Sequence, residues 1–102
     1  IGSCAVAGAR ISGATKIIAF DVLDSKLDIA RRMGATHTVN VTSQNALEAL
    51  SKICPGGIDV AVEGTGRTEA MNQALQAVRN QGGVAVIVGN AKAGELIQLD
   101  PR

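Results

Sequence analysis

Aromatic residues are almost missing from this chain. Phe20 stands alone, with no Trp or Tyr and an aromatic content of 1%. That removes the stacking platforms on which single-stranded nucleic-acid binders seat bases. Cysteine is scarce as well: Cys4 and Cys54 are too few for a disulfide framework and lack zinc-ribbon spacing. Neither sign of charge is in excess. Ten basic residues face nine acidic ones, a formal net charge of +1. This leaves no electrostatic footprint for nucleic acid or a membrane surface. No apolar run reaches the roughly 18 residues of a spanning helix. Ile1 to Arg10 also lacks the basic start and long apolar stretch of a signal peptide. These absences predict a reduced, cytoplasmic setting with no nucleic-acid or membrane partner.

What is there is a chain of 102 residues, the length of one ordinary domain. Hydrophobic residues make up 46% and charged residues 19%, which is close to the globular average. Without aromatics, the core has to be built from Val, Ile, Leu and Ala. Small and β-branched residues, with 12 glycines, suit a parallel sheet with helices packed closely on both faces.

Along the chain, Ile1 to Ser12 reads as a helix stopped at Gly13, and Lys16 to Asp21 as a short strand. Asp24 is the expected N-cap of a second helix, with Leu27, Ala30 and Met33 on its apolar stripe and Asp28 facing Arg32. Gly34 ends it, and Thr36 to Val41 alternates as a second strand. Ser43 is the expected cap of a third helix carrying Leu47, Leu50 and Ile53, with Glu48 and Lys52 as an i,i+4 pair. Pro55-Gly56-Gly57 terminates it, and Ile58 to Glu63 is a third strand. After Gly64-Thr65-Gly66, Thr68 to Arg79 reads as a fourth helix with Met71, Ala74, Leu75 and Val78 inward. Val84 to Val88 is wholly apolar, which predicts a fourth strand buried on both faces, and Leu96 to Leu99 is a short extended segment.

A helix followed by three strand–helix repeats and a strand predicts parallel pairing through right-handed crossovers. The fold class is α/β, half or more of a doubly wound sheet. In such sheets ligands lie at the carboxyl ends of the strands. Those ends carry Asp21, Asn40, Glu63 to Gly66, and Gly89-Asn90.

Asp21 is the first candidate. It ends an apolar strand about 20 positions after Gly2, near the spacing at which dinucleotide folds place a ribose-binding acid. A carboxylate there accepts from both ribose hydroxyls and repels a 2′-phosphate, which favours NAD over NADP. Val22 follows, where an arginine would grip that phosphate. A turn-capping role for Asp21 is equally open on the residues alone. Gly2 opens a helix and suits close approach to a strand or a pyrophosphate; a glycine needed only for helix packing is the plainer reading. Gly64-Thr65-Gly66 is a flexible turn whose Thr65 offers a hydroxyl and an amide. Lys26 lies on the first turn after Asp21, and Arg67 follows the glycine loop. His37 has no visible partner, and Cys4 and Cys54 read as small hydrophobes. There is no Ser-His-Asp order, no paired acids in a cleft and no metal-ligand cluster. The residues point to binding, and none is assigned a catalytic role.

Four stretches carry a resemblance. IGSCAVAGARISGATKIIAFD, KLDIARRMGATHTVN, GIDVAVEGTG and GGVAVIVGNAKAGE resemble, in order and over nearly the whole chain, the coenzyme domain of medium-chain, zinc-type alcohol dehydrogenases. The resemblance implies an NAD(P)-binding Rossmann fold and hydride transfer between an alcohol or aldehyde and NAD. It implies that Gly2 is the last glycine of the dinucleotide fingerprint and that Asp21 binds the adenosine ribose. Val22 then lies beside adenine and Lys26 near the ribose. Thr65, Gly66 and Arg67 line the adenosine and ribose side, and Val88, Gly89 and Asn90 approach the nicotinamide half. Zinc belongs to a catalytic domain that residues 1–102 do not contain, and no metal ligand is assigned to them. A homo-oligomer, dimer or tetramer, is implied as well.

Compared with that family, the first and last strands of the sheet are missing. Residues 1–102 are therefore expected to be a partial dinucleotide-binding domain, an excerpt of a longer polypeptide. Lacking the first strand, the others should form two pairs about two strand spacings apart, roughly 9 to 10 Å, with edges prone to aggregation. Other readings remain at this stage. They are another medium-chain dehydrogenase or reductase (polyol, threonine, formaldehyde or zinc-free quinone type), an S-adenosylmethionine methyltransferase, and a non-catalytic nucleotide-binding module.

Overall fold

The computed structural model describes residues 2–88. Its elements run α1 (Gly2–Ile11), β1 (Ile18–Asp21), α2 (Asp24–Met33), β2 (His37–Asn40), α3 (Ala46–Ile53), β3 (Val60–Glu63), α4 (Thr68–Ala77) and β4 (Val84–Ile87). This is the expected alternation, element for element. The segment expected over Leu96–Leu99 lies outside the described residues, as do Gly89 and Asn90.

The fold is α/β with parallel strands. β1 pairs with β2, placing Ile18 opposite His37 and Asp21 opposite Asn40. β3 pairs with β4, placing Val60 opposite Val84 and Glu63 opposite Ile87. Each pair is its own two-stranded sheet, the division into pairs that the order of strands predicts. The chain likewise divides into two compact units, one up to Ala49 and one from Leu50 onward.

In the first unit the buried apolar residues are Ile17, Leu27, Ala30, Val39 and Ala46. α2 packs on β1 and β2, and α1 packs on α2. The end of α2 is a glycine stop. Gly34 has φ +127°, and its N–H reaches the carbonyls of Ala30 and Arg31, each at 3.1 Å. The Arg10 side chain of α1 lies across it: a Cβ at position 34 would stand 2.6 Å from Arg10 Cδ. Thr36 then fastens the entry of β1 to that of β2. Its hydroxyl accepts from Ile17 N–H at 2.9 Å and donates to the Ile17 carbonyl at 3.1 Å.

Several local expectations are corrected here. Asp24 is the first residue of α2 and not its cap; Leu23 holds that position with no side-chain hydrogen bond. Asp28 pairs with Arg31 at 3.0 Å, not with Arg32, because i+3 and i+4 are both within reach on a helix. Met33 is exposed. Asn45, not Ser43, caps α3: its Oδ1 accepts from Glu48 N–H at 3.0 Å. The Ser43 hydroxyl instead donates to the Asn40 carbonyl at 3.2 Å.

In the second unit α4 packs on β3 and β4. Met71 is 1% exposed, and Leu50, Ala61 and Glu63 are buried. α4 stops two residues before the expected end. Val78 is extended, with φ −73° and ψ 148°, and bridges to Ile58 in parallel. Ile58 N–H donates to the Ala77 carbonyl and Arg79 N–H to the Ile58 carbonyl. Gly57, at φ +96°, makes this approach feasible, since a Cβ there would be 2.8 Å from Arg79 N.

β4 departs from its expected burial. Alternation along a strand sets Val84 and Val86 on one face with Val60 and Val62 of β3. These four are 42% to 57% exposed. α4 occupies the opposite face, where Ala61 and Glu63 are buried.

Candidate functional site

At the carboxyl end of the first sheet, Asp21 and Asn40 sit side by side in register. Asp21 turns back on its own loop. Its Oδ1 accepts from Val22 N–H at 2.7 Å and from Leu23 N–H at 3.3 Å. Oδ2 has no partner among the described residues. Turn capping and ligand binding were alternatives on the sequence; the geometry allows both, one oxygen for each.

Asn40 latches the loops on either side. Its Nδ2 donates to Asp24 Oδ1 at 2.8 Å and to the Val22 carbonyl at 3.4 Å. Its Oδ1 accepts from Thr42 N–H at 2.9 Å and from the Thr42 hydroxyl at 2.5 Å. Val41 N–H closes the edge by donating to the Asp21 carbonyl at 3.0 Å. Sequence reasoning placed Asn40 at this edge without a role. The signal was its register with Asp21, which requires knowing that the two strands pair in parallel.

Val22 and Lys26 are exposed beside this edge. Gly2 is exposed too, and a Cβ there would meet nothing within 4 Å. Among the described residues, then, nothing packs close enough on position 2 to require glycine.

At the carboxyl end of β3, the central group is a carboxylate. Glu63 is 3% exposed. Its Oε1 accepts from Thr65 N–H at 2.5 Å, from Gly66 N–H at 2.9 Å and from the Thr65 hydroxyl at 3.3 Å. Thr65 Oγ1 in turn accepts from Arg67 N–H at 3.1 Å. The loop turns at Gly66, with φ +78°, and delivers Arg67 to the cap position of α4 with its side chain exposed. The amide and hydroxyl that Thr65 was expected to offer both hydrogen-bond Glu63 Oε1 in this structure. Val88 is half-exposed, and its N–H donates to the Glu63 carbonyl at 2.9 Å. The two further residues expected on this side, Gly89 and Asn90, lie outside the described residues.

Sequence reasoning noted Glu63 at the strand end but gave it no task. The readable signal was an acid directly before Gly-Thr-Gly, where a strand-final carboxylate can reach the amides of the turn. Elsewhere, His37 Nδ1 lies 2.9 Å from the Thr36 hydroxyl. Cys54 Sγ donates to the Gly57 carbonyl at 3.3 Å, and Cys4 is exposed. Among the described residues no group of three or more His, Cys, Asp or Glu side chains is placed to hold a metal ion. No helix among them is long and apolar enough to cross a membrane. The two strand-end edges present acceptors and a cation, which suits ligand binding.

Comparison with known proteins agrees with this architecture. Alcohol dehydrogenase 1 of Zea luxurians is 43% identical over 91 residues, covering 87% of this chain and 31% of that protein. The sorbitol dehydrogenase of Bacillus subtilis (strain 168) is 41% identical over 97 residues, covering 94% and 27%. Among solved structures, benzyl alcohol dehydrogenase from Acinetobacter calcoaceticus superposes with a TM-score of 0.91 at 35% identity, covering 98% of this chain and 27% of that one. A structure from Sinorhizobium meliloti 1021, described as a zinc-binding dehydrogenase bound to NADP, gives 0.92 at 34% identity, covering 99% and 30%. The chain thus spans less than a third of the length of these relatives. The family model described as zinc-binding dehydrogenase matches residues 1–102, which sets the methyltransferase reading aside: the chain belongs to the zinc-binding dehydrogenase family.

Proposed function

We propose that residues 1–102 are a partial dinucleotide-binding domain of an NAD-dependent alcohol dehydrogenase. The whole enzyme would move hydride between an alcohol or aldehyde and the nicotinamide. The carrying observation is Asp21, which ends parallel strand β1 with Oδ1 spent on its own loop and Oδ2 without a partner among the described residues. An open carboxylate oxygen at that edge accepts a ribose hydroxyl and repels a 2′-phosphate. This supports NAD over NADP, even though one structural relative was solved with NADP.

On this reading Gly2 lies by the pyrophosphate, Val22 beside adenine and Lys26 near the ribose. Thr65, Gly66 and Arg67 line the adenosine side, and Val88, Gly89 and Asn90 belong to the nicotinamide side. Bound NAD supplies the hydride acceptor, while these residues bind and orient it. The described residues do not fit a zinc ion, so no step is routed through one. Zinc belongs, in this proposal, to the part of the enzyme outside residues 1–102. The relatives include alcohol, sorbitol and S-(hydroxymethyl)glutathione dehydrogenases, so residues shared with them select the coenzyme and not the alcohol. The working form we propose is a cytoplasmic homo-oligomer, in keeping with two free cysteines.

Titration of the full-length polypeptide with NADH, NADPH and S-adenosylmethionine tests this. NADH should bind most tightly. Asp21→Ala should weaken it roughly 10- to 100-fold, the worth of hydrogen bonds to a charged group. Preference for NADPH or the methyl donor, or an unchanged affinity in the variant, would overturn the assignment.

A further inference from the structure

We propose that Asp24, held in place by Asn40, is a second specificity-determining residue for the coenzyme, its charge adding to that of Asp21 in rejecting a 2′-phosphate. The inference rests on the dinucleotide reading above and goes beyond it: a change at Asp21 alone then leaves part of the preference for NAD standing.

Asp21 and Asp24 bracket one short turn. Three steps along the chain keep their Cα atoms within about 11 Å of each other. Asp24 is exposed and opens α2. An acid in the first turn of a helix is ordinary, because it answers the positive end of the helix. What sets Asp24 apart is where its carboxylate is held.

Asn40 Nδ2 donates to Asp24 Oδ1 at 2.8 Å and to the Val22 carbonyl at 3.4 Å. The amide is fixed in this orientation, since its Oδ1 is committed to the N–H and hydroxyl of Thr42. Asn40 itself stands opposite Asp21 in the register of β1 and β2. The contact therefore draws the Asp24 carboxylate back to the strand-end edge that carries Asp21. An untethered surface carboxylate would swing away from an arriving phosphate. This one cannot do so without giving up a charge-assisted hydrogen bond.

Neighbouring groups do not cancel the effect. Lys26 is the nearest cation in sequence and makes no ion pair with either acid; the ion pairs among the described residues are Asp28–Arg31 and Asp59–Arg79. The start of α2 has no side-chain cap at Leu23, and its partial positive charge would by itself favour a phosphate. Asp24 sets a full negative charge there instead. At 0.1 M salt charges act over roughly 10 Å, so both acids are felt by a group bound at this edge. A neutral ribose hydroxyl meets no such repulsion.

The test titrates the full-length polypeptide with NADH and NADPH, and with AMP and adenosine 2′,5′-bisphosphate. The proteins are wild type, Asp24→Asn, Asp21→Ala, the double variant and Asn40→Ala. Asparagine at position 24 keeps an oxygen for Asn40 and removes the charge. Asp24→Asn should raise the affinity for NADPH relative to NADH roughly tenfold, and that for the bisphosphate relative to AMP by a similar factor. The gain should shrink at 1 M salt, where screening acts within about 3 Å. The double variant should favour NADPH more than Asp21→Ala does. Asn40→Ala releases Asp24 and should raise the same ratio by a smaller factor; no rise there would overturn the part given to Asn40. An unchanged ratio in Asp24→Asn, equal losses for both coenzymes, or a gain that salt leaves untouched would overturn the proposal. If wild type binds none of the four ligands, the dinucleotide reading falls and this inference with it. If wild type binds NADH and only the ratio stays fixed, this inference alone falls.

Discussion

Asn40 Nδ2 donates to Asp24 Oδ1 at 2.8 Å, joining the end of β2 to the first turn of α2. The bond spans the loop that carries Asp21. That loop is held from inside by Asp21 Oδ1 and from outside by Asn40, which also reaches the Val22 carbonyl. A carboxylate that is to receive a ribose hydroxyl has to be fixed in direction before the ligand arrives, because ordering it on binding would cost affinity.

Asn40→Ala should therefore act on binding more than on folding. It removes the latch on the Asp21 loop and the acceptor for Thr42 N–H, groups that solvent can partly replace. The expected cost to stability is about 1 kcal/mol. The expected loss in NADH affinity is about three- to tenfold, carried by the adenosine end. Calorimetric titration with NADH and with AMP checks it. An equal loss for both ligands supports the latch, and a loss for NADH alone would place the effect elsewhere.

Gly34 and Arg10 allow a sharper test of packing in the first unit. At φ +127° any L side chain is strained, and a Cβ would press on Arg10 Cδ at 2.6 Å and Cβ at 3.1 Å. Gly34→Ala should cost about 1–3 kcal/mol. Adding Arg10→Ala clears part of the clash but leaves the backbone conformation unfavourable. The double variant should thus recover some stability and not all of it. Urea midpoints of the two variants against wild type measure this, and full recovery would show that the backbone strain is negligible.

What the sequence made legible is what local pattern decides. The alternation of helix and strand, the parallel pairing and the place of Asp21 follow from periodicity and from glycine stops such as Gly34. The errors lie where several residues satisfy one rule or where a distant partner decides. Ser43 and Asn45 are both good caps two residues apart, and only the start of α3 at Ala46 selects Asn45. α4 ends at Ala77 without a glycine or proline nearby, because Ile58, far back in the sequence, claims Val78. The run Val84 to Val88 is apolar whichever of its faces α4 covers, so its residues cannot announce that Val84 and Val86 are exposed within this segment. Glu63 was readable as a strand-final acid, but its burial comes from α4 packing over it, a tertiary fact.

Met71 tests that packing directly. It is 1% exposed on α4, on the helix that covers Ala61 and Glu63. Met71→Ala removes most of a buried side chain and leaves a cavity, at an expected cost of about 2–5 kcal/mol. Met71→Leu conserves volume and should cost less than about 1.5 kcal/mol. Because α4 begins just after the loop that Glu63 holds, the alanine variant should also raise amide exchange at Thr65 and Gly66. The leucine variant should leave it near wild type. Thermal unfolding with residue-resolved exchange distinguishes these outcomes. If Met71→Ala destabilises the protein but the loop amides remain protected, Glu63 holds the loop independently of the helix above it.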